Sequence, residues 1–79
     1  MTAHSIPANF RSAIDALAQG GVSQTDTRLL LSAECAEIFQ SAGCKRPYAA
    51  LTRALWRRDA YKARIAARRI LLRLNTSVN

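Results

Sequence analysis

The spacing of apolar residues between Ala49 and Leu74 constrains this chain more strongly than any other feature of its sequence. Successive members are separated by seven, four, three, four, three and four residues: Ala49, Trp56, Ala60, Ala63, Ala67, Ile70 and Leu74. At about 100° per residue, positions with this spacing project from one side of a helix, and we call them the core stripe. Alanine, leucine and arginine, which are strong helix formers, dominate the segment. The sequence therefore predicts one long helix over residues 47–74, with Arg58-Asp59 as the place where it would bend.

A first short helix is predicted near the N-terminus. Pro7 suits a first helical position, because its missing N–H would have had no partner there. Apolar residues then recur at helical spacing up to Leu17, and Gly20-Gly21 supplies the left-handed conformation that ends many helices. We expect this helix to cover residues 7–19.

A second helix is predicted after it. Ser23 begins a capping-box-like sequence, an apolar face follows at helical spacing, and Gly43 ends the pattern. This gives a helix over residues 24–41. The first turn of this helix has an alternative interpretation, in which residues 28–31 are extended and Ser32 caps a shorter helix.

These elements predict an all-α fold. The expected architecture is a small three-helix domain spanning residues 1–79, with a long, basic, amphipathic C-terminal helix. Residues 1–5 and 75–79 are expected to be frayed. Because a chain of 79 residues buries a lower fraction of its surface than a large domain, its core is expected to be thin.

The charge is concentrated in the second part of the chain. Residues 45–79 hold ten Lys and Arg against one acid, Asp59, a net charge of +9, whereas residues 1–44 carry a net charge of −2. Ten of the twelve cations are Arg, whose planar guanidinium suits phosphate and carboxylate groups. Such asymmetry indicates a contact surface carried by one part of the molecule.

Two rows of cations flank the core stripe on the predicted long helix. One row holds Arg53, Arg57, Arg64 and Arg68, and the other holds Arg58, Lys62, Arg69 and Arg73. Like charges at this spacing destabilise a helix, so the pattern favours contact with an anionic partner over a merely solvated face. Neutralising several phosphates and releasing their counterions would drive binding to nucleic acid. We therefore expect these residues to contact DNA or RNA.

The turn between the second and third predicted helices gives a more specific hypothesis. Ser41-Ala42-Gly43-Cys44 resembles the short glycine-containing turn of helix-turn-helix domains, in which the start of the next helix enters the major groove. The base-reading candidates would then be Lys45, Arg46, Ala49, Thr52 and Arg53, with Arg57 and Arg58 on the backbone. An ordinary helical hairpin explains the turn equally well.

The stretch from Leu30 to Phe39, LLSAECAEIF, also resembles the first helix of excisionase-like winged-helix proteins. The resemblance implies that Tyr61 to Leu74 form a two-stranded wing. The spacing of the core stripe predicts a helix there instead, and the chain is not assigned to that family.

The core stripe is longer than the two preceding helices can cover. The predicted long helix would extend about 40 Å, against about 20 and 27 Å for the shorter ones. We therefore expect a homodimer in which part of the stripe meets a second copy, through Trp56, Ala63, Ala67, Ile70 and Leu74. Trp56 is placed on the core side, whereas Tyr61 faces the opposite side and is a candidate for stacking on bases.

Several function classes are not indicated. The five acidic residues are scattered over predicted helix surfaces, and no phosphate loop or nucleophile motif is present, so we expect no enzymatic activity and no cofactor. His4, Cys35 and Cys44 lack zinc-ligand spacing, so no metal site is expected. Cys35 is interpreted as a core residue and Cys44 as a turn residue open to solvent. Neither a signal peptide nor a transmembrane segment is apparent, which favours a cytoplasmic protein.

The sequence thus predicts a small basic regulator that binds nucleic acid mainly through phosphate contacts made by its C-terminal helix. The alternative is a helical adaptor or inhibitor that docks the same Arg-flanked helix on an acidic protein surface.

Overall fold

The computed structural model describes residues 6–21 and 23–76, which form five helices. These are α1 (Ala8–Ala18), α2 (Gln24–Leu30), α3 (Ala33–Ser41), α4 (Lys45–Trp56) and α5 (Ala60–Thr76). No strand occurs in the described part of the chain, so the all-α class is confirmed and the two-stranded wing is not formed. Residues 1–5, with His4, lie outside the described residues, as do residues 77–79. Helix α5 continues past residue 74, the predicted helix end.

The first predicted helix is confirmed to within one residue at each end. Its apolar face is buried: Phe10, Ala13, Ile14, Leu17 and Ala18. Gly20 has a φ of 95°, and the N–H of Gly21 donates to the Ala16 carbonyl at 2.8 Å, which closes the end of α1. A local glycine signal was therefore sufficient to place this boundary.

The second predicted helix is wrong as a single element, because the chain forms α2 and α3 instead. Leu31 and Ser32 separate the two helices. The Ser32 hydroxyl oxygen accepts a hydrogen bond from the backbone N–H three residues later at 3.2 Å, and Ser23 caps α2 in the same way at 3.0 Å. The Ser32 cap of the alternative interpretation is right, but residues 28–30 are helical and not extended.

The predicted long helix is also divided, because the chain reverses over residues 57–59. Arg58 has a φ of 57°, the left-handed region, and the N–H of Asp59 donates to the Ala54 carbonyl at 2.9 Å. The Asp59 carboxylate then accepts from the backbone N–H of Lys62 at 3.1 Å and caps α5. The reversal folds α5 back along α4.

Helix α5 lies between α1 and α4 and packs against both. Its buried residues are Ala63, Ala66, Ala67, Ile70 and Leu74. The expectation that the core stripe outruns its cover is therefore wrong, since the reversal gives α5 two neighbouring helices. Ala63, Ala67, Ile70 and Leu74 belong to the core of the chain itself. The placement of Trp56 on the core side is also wrong, because this side chain is 73% exposed.

A buried cluster joins α3 to α4. The rings of Phe39 and Tyr48 stack with their centroids 5.6 Å apart, and the Tyr48 hydroxyl donates to the Leu30 carbonyl at 2.6 Å. Cys35 is buried as predicted, and burial raises the pKa of its thiol to about 11. Cys44 is fully buried as well, so its expected exposure is wrong. The turn before α4 thus contributes to the core.

Candidate nucleic-acid interface

A groove runs between α4 and α5 on the side of these helices that faces solvent. Two adjoining hollows form it, since Ala50 and Arg69 line both. Cations line it from both helices: Arg46, Arg53 and Arg57 at α4, and Lys62, Arg69 and Arg73 at α5. We call these six residues the basic groove. All six are exposed.

Small side chains form the floor of the basic groove. Ala50 and Ala54 contribute from α4, and Ala66 contributes from α5. None of these three residues is among the site residues predicted from the sequence. Ala50 and Ala54 are spaced i,i+4, so they lie on one side of the helix, and this spacing of small residues was the available signal. Short side chains between the two rows of cations leave room for a ligand to approach both rows.

The basic groove is electrostatically one-sided. Asp59 is the acid that lines it, and one of its carboxylate oxygens caps α5 through the N–H of Lys62. The ion pair found among the described residues is between Arg11 and Asp15, at 3.7 Å within α1. No cation of the basic groove is paired with an acid in this part of the chain. An anionic ligand would therefore meet guanidinium and ammonium groups that no carboxylate neutralises.

One end of the basic groove is tied to the turn that precedes α4. A guanidinium nitrogen (Nη1) of Arg73 donates to the Gly43 carbonyl at 2.9 Å. Gly43 has a φ of 81°, which allows the chain to turn between α3 and α4. The link positions Arg73 and aligns the C-terminal part of α5 with the beginning of α4.

The exposed surface of α4 continues away from the basic groove. Residues at i, i+4, i+7 and i+11 line this outer face: Lys45, Ala49, Thr52 and Trp56. Thr52 is half-buried and donates its hydroxyl to the Ala49 carbonyl at 2.9 Å, while the other three are exposed. The base-reading candidates of the sequence analysis thus lie on accessible parts of α4.

Two predicted cations lie apart from the basic groove, near the end of α1. The Nε of Arg68 donates to the Ala18 carbonyl at 3.1 Å. Arg64 is half-buried, and its guanidinium lies 5.6 Å from the ring centre of Tyr61. This guanidinium also lies close to Gly20, since a Cβ built on that glycine would be 3.8 Å from one of its nitrogens. Both side chains cover the C-terminal end of α1, where backbone carbonyls attract cations.

The predicted division of the cations into two flanks is therefore wrong. Arg57 and Arg64, expected on one exposed flank, occupy different faces. Arg58 lines a separate hollow next to the beginning of α2. The cause is the reversal at residues 57–59, because a single helical wheel no longer describes residues on both sides of it.

No protein-family model, curated protein or solved structure compared with the chain matches it. Among the described residues, no group of three or more His, Cys, Asp and Glu side chains is placed to hold a metal ion. No described helix is long and apolar enough to cross a membrane.

Proposed function

We propose that the protein binds nucleic acid through the basic groove and the adjoining exposed surface of α4. This proposal rests on one observation: six cations from two helices line one groove, and Asp59 is the acidic residue among its lining residues. Five of the six are Arg, which forms paired hydrogen bonds with phosphate oxygens. Each phosphate contact releases condensed counterions, and this release supplies the sequence-independent part of the affinity.

The pairing of α3 with α4 supports a helix-turn-helix-like mode of binding. The two helices are joined by Ala42-Gly43-Cys44, a length typical of that motif. In this mode the beginning of α4 enters a duplex groove, where Lys45 and Arg46 reach base edges or phosphates. Arg57 and Arg69 then hold the backbone. Ala49 and Thr52 are small, so they permit close approach along the middle of α4.

This activity fits the role of a cytoplasmic regulator that occupies nucleic acid and catalyses no reaction. Backbone contacts would fix its position, and the exposed residues of α4 would supply limited base readout. Self-association also remains a prediction, but its surface must differ from Ala63, Ala67, Ile70 and Leu74, which are buried in the core.

The proposal is tested by fluorescence anisotropy with a labelled duplex about two helical turns long. Arg69→Glu reverses a charge that lines both hollows of the basic groove and should weaken binding roughly tenfold or more. Arg28→Glu is the matched control. It makes the same change of net charge at an exposed residue of α2, away from the groove, and should alter the affinity by less than about twofold.

Two results would contradict the proposal. One is the absence of duplex binding by the unmodified chain at low salt. The other is an equal loss of affinity in both variants, which would mean that net charge alone governs binding.

A further inference from the structure

Helix α5 carries large apolar side chains on its solvent side, opposite its buried residues. Tyr61 is 64% exposed, Leu72 is 66% exposed, and Ile65 between them is half-buried. Their positions, i, i+4 and i+11, fall within a sector of about 40° on a helix. We call these three residues the outer stripe. An exposed apolar stripe on a small charged domain is a recurrent mark of an interaction surface.

Cations border the outer stripe on both sides. Lys62 and Arg69 lie on the side toward α4, and Arg64 and Arg68 lie on the side toward α1. Helix α5 contains no acidic residue. The pattern of apolar residues between two charged rows is the one by which helices select partner helices, with the apolar row providing burial and the charged rows providing selectivity.

We propose that the outer stripe docks an acidic amphipathic helix of a partner protein. Apolar residues of that helix would cover Tyr61 and Leu72, and its Asp or Glu side chains would reach the cations on both sides. The outer stripe adjoins the basic groove, because Leu72 and Ile65 also line its hollows, whereas Tyr61 does not. The proposal goes beyond the nucleic-acid function, because phosphates make no use of an aliphatic side chain such as Leu72. A protein that occupies nucleic acid could thereby also hold a second protein.

The charges around the outer stripe favour an acidic helix as the partner over a second copy of the chain or a lipid surface. A second copy docked through the same stripe would bring the cations of α5 against cations of the same kind, which opposes association. A lipid surface favours a wide apolar face, whereas the outer stripe is narrow and Arg68 lies about 20° beyond its edge. An acidic helix satisfies both the apolar and the cationic parts of the surface.

The probe for this surface is a synthetic helical peptide with Leu along one face and Glu on both sides of it. A control peptide has the same composition, but its Leu and Glu positions are interspersed around the helix. Calorimetry with the full chain should show binding of the first peptide and at least about tenfold weaker binding of the second. Equal binding of the two peptides would overturn the proposal, because the net charge of the peptides would then be enough to explain their binding.

Variants of exposed residues localise the contact. Tyr61→Ser together with Leu72→Ser should weaken peptide binding at least about tenfold. Trp56→Ser, which removes an exposed aromatic ring from α4 outside the outer stripe, should leave it unchanged. Circular dichroism checks the helicity of both variants, and Leu72→Ser alone replaces the double variant if helicity falls. Unchanged peptide binding by the variant would overturn the proposal.

Two further measurements separate the other occupants. Anionic phosphatidylserine vesicles that bind the unmodified chain but not the stripe variant, with no peptide binding, would assign the surface to lipid. Light scattering that shows a dimer lost in the variant would assign it to a second copy. Leu72 also lines one hollow of the basic groove, whereas Tyr61 lines neither, so duplex affinity is compared in Tyr61→Ser alone, where it should be unchanged. Failure of the docking proposal is thus distinct from failure of nucleic-acid binding.

Discussion

At the scale of single residues, the two tyrosines of the chain differ in burial. Tyr48 is buried and donates its hydroxyl to the Leu30 carbonyl at 2.6 Å, whereas Tyr61 is 64% exposed. Removing the Tyr48 hydroxyl leaves that carbonyl without its donor. We therefore expect Tyr48→Phe to lower the free energy of unfolding by roughly 1–3 kcal/mol, as measured by urea denaturation.

Tyr61→Phe is the control for this prediction, because it removes the same atom from an exposed ring. It should change the free energy of unfolding by less than about 0.5 kcal/mol. Similar values for the two variants would show that the hydroxyl of Tyr48 does not support the junction of α2, α3 and α4.

Trp56 provides a second prediction at this scale, because it is the single tryptophan of the chain and is exposed on α4. If α4 contacts nucleic acid, bases or sugars approach this indole, and its fluorescence should fall on titration with duplex. Inorganic polyphosphate, which has no bases, is the matched polyanion. It should bind with less quenching. Duplex binding without any change in the tryptophan signal would place Trp56, and the end of α4, outside the interface.

At the scale of elements, the boundaries that the sequence predicts correctly are those set by local groups. Gly20 ends α1 and Ser23 caps α2 through contacts within a few residues, so sequence patterns find them. The reversal at residues 57–59 lies where the sequence predicted a bend, and Asp59 caps α5 locally, but no glycine or proline marks a full reversal there. The reversal brings α5 against α1 and α4, and this packing is a tertiary effect that a helical wheel does not contain.

The same cause limits how much of the candidate site could be predicted. Every cation of the basic groove could be identified from the sequence, because charge is visible in the composition. The predicted grouping of these cations is wrong, since Arg57 and Arg69 come together only after α5 folds back along α4. Arg64 and Arg68 were assigned to the site for the same reason, although they cover the end of α1.

The turn between α3 and α4 yields a prediction about an element boundary. Gly43 has a φ of 81°, and a Cβ built on it would meet no atom within 4 Å. The cost of Gly43→Ala is therefore backbone strain alone, about 1 kcal/mol of unfolding free energy. Asn tolerates this conformation, so Gly43→Asn should cost less. Chemical denaturation of the two variants measures the difference, and an equal cost would argue against a left-handed Gly43.

At the scale of the whole molecule, α5 is expected to determine whether the chain folds. Ile70 is completely buried between helices, and Leu72 on the same helix is 66% exposed. Ile70→Ala should lower the free energy of unfolding by roughly 2–5 kcal/mol, a large fraction of the stability of a small domain. Leu72→Ala should change it by less than about 0.5 kcal/mol. Thermal denaturation compares the two, and similar losses would contradict the orientation of α5.

The burial of α5 also changes the expected effect of charges placed in it. Ile70→Lys with Leu74→Lys should unfold the monomer, because both side chains are in its core. A folded chain that merely changes from dimer to monomer in light scattering would restore the original assignment of these residues to self-association.

If the basic groove holds nucleic acid through phosphate contacts, the affinity for duplex must fall steeply as the salt concentration rises. Each phosphate contact contributes about −0.9 to the slope of log K against log salt. We predict a steep negative slope between about 50 and 200 mM salt, made shallower by about one in Arg69→Gln and unchanged in Arg28→Gln. A slope near zero, or an equal change in both variants, would mean that the basic groove does not hold nucleic acid through phosphate contacts.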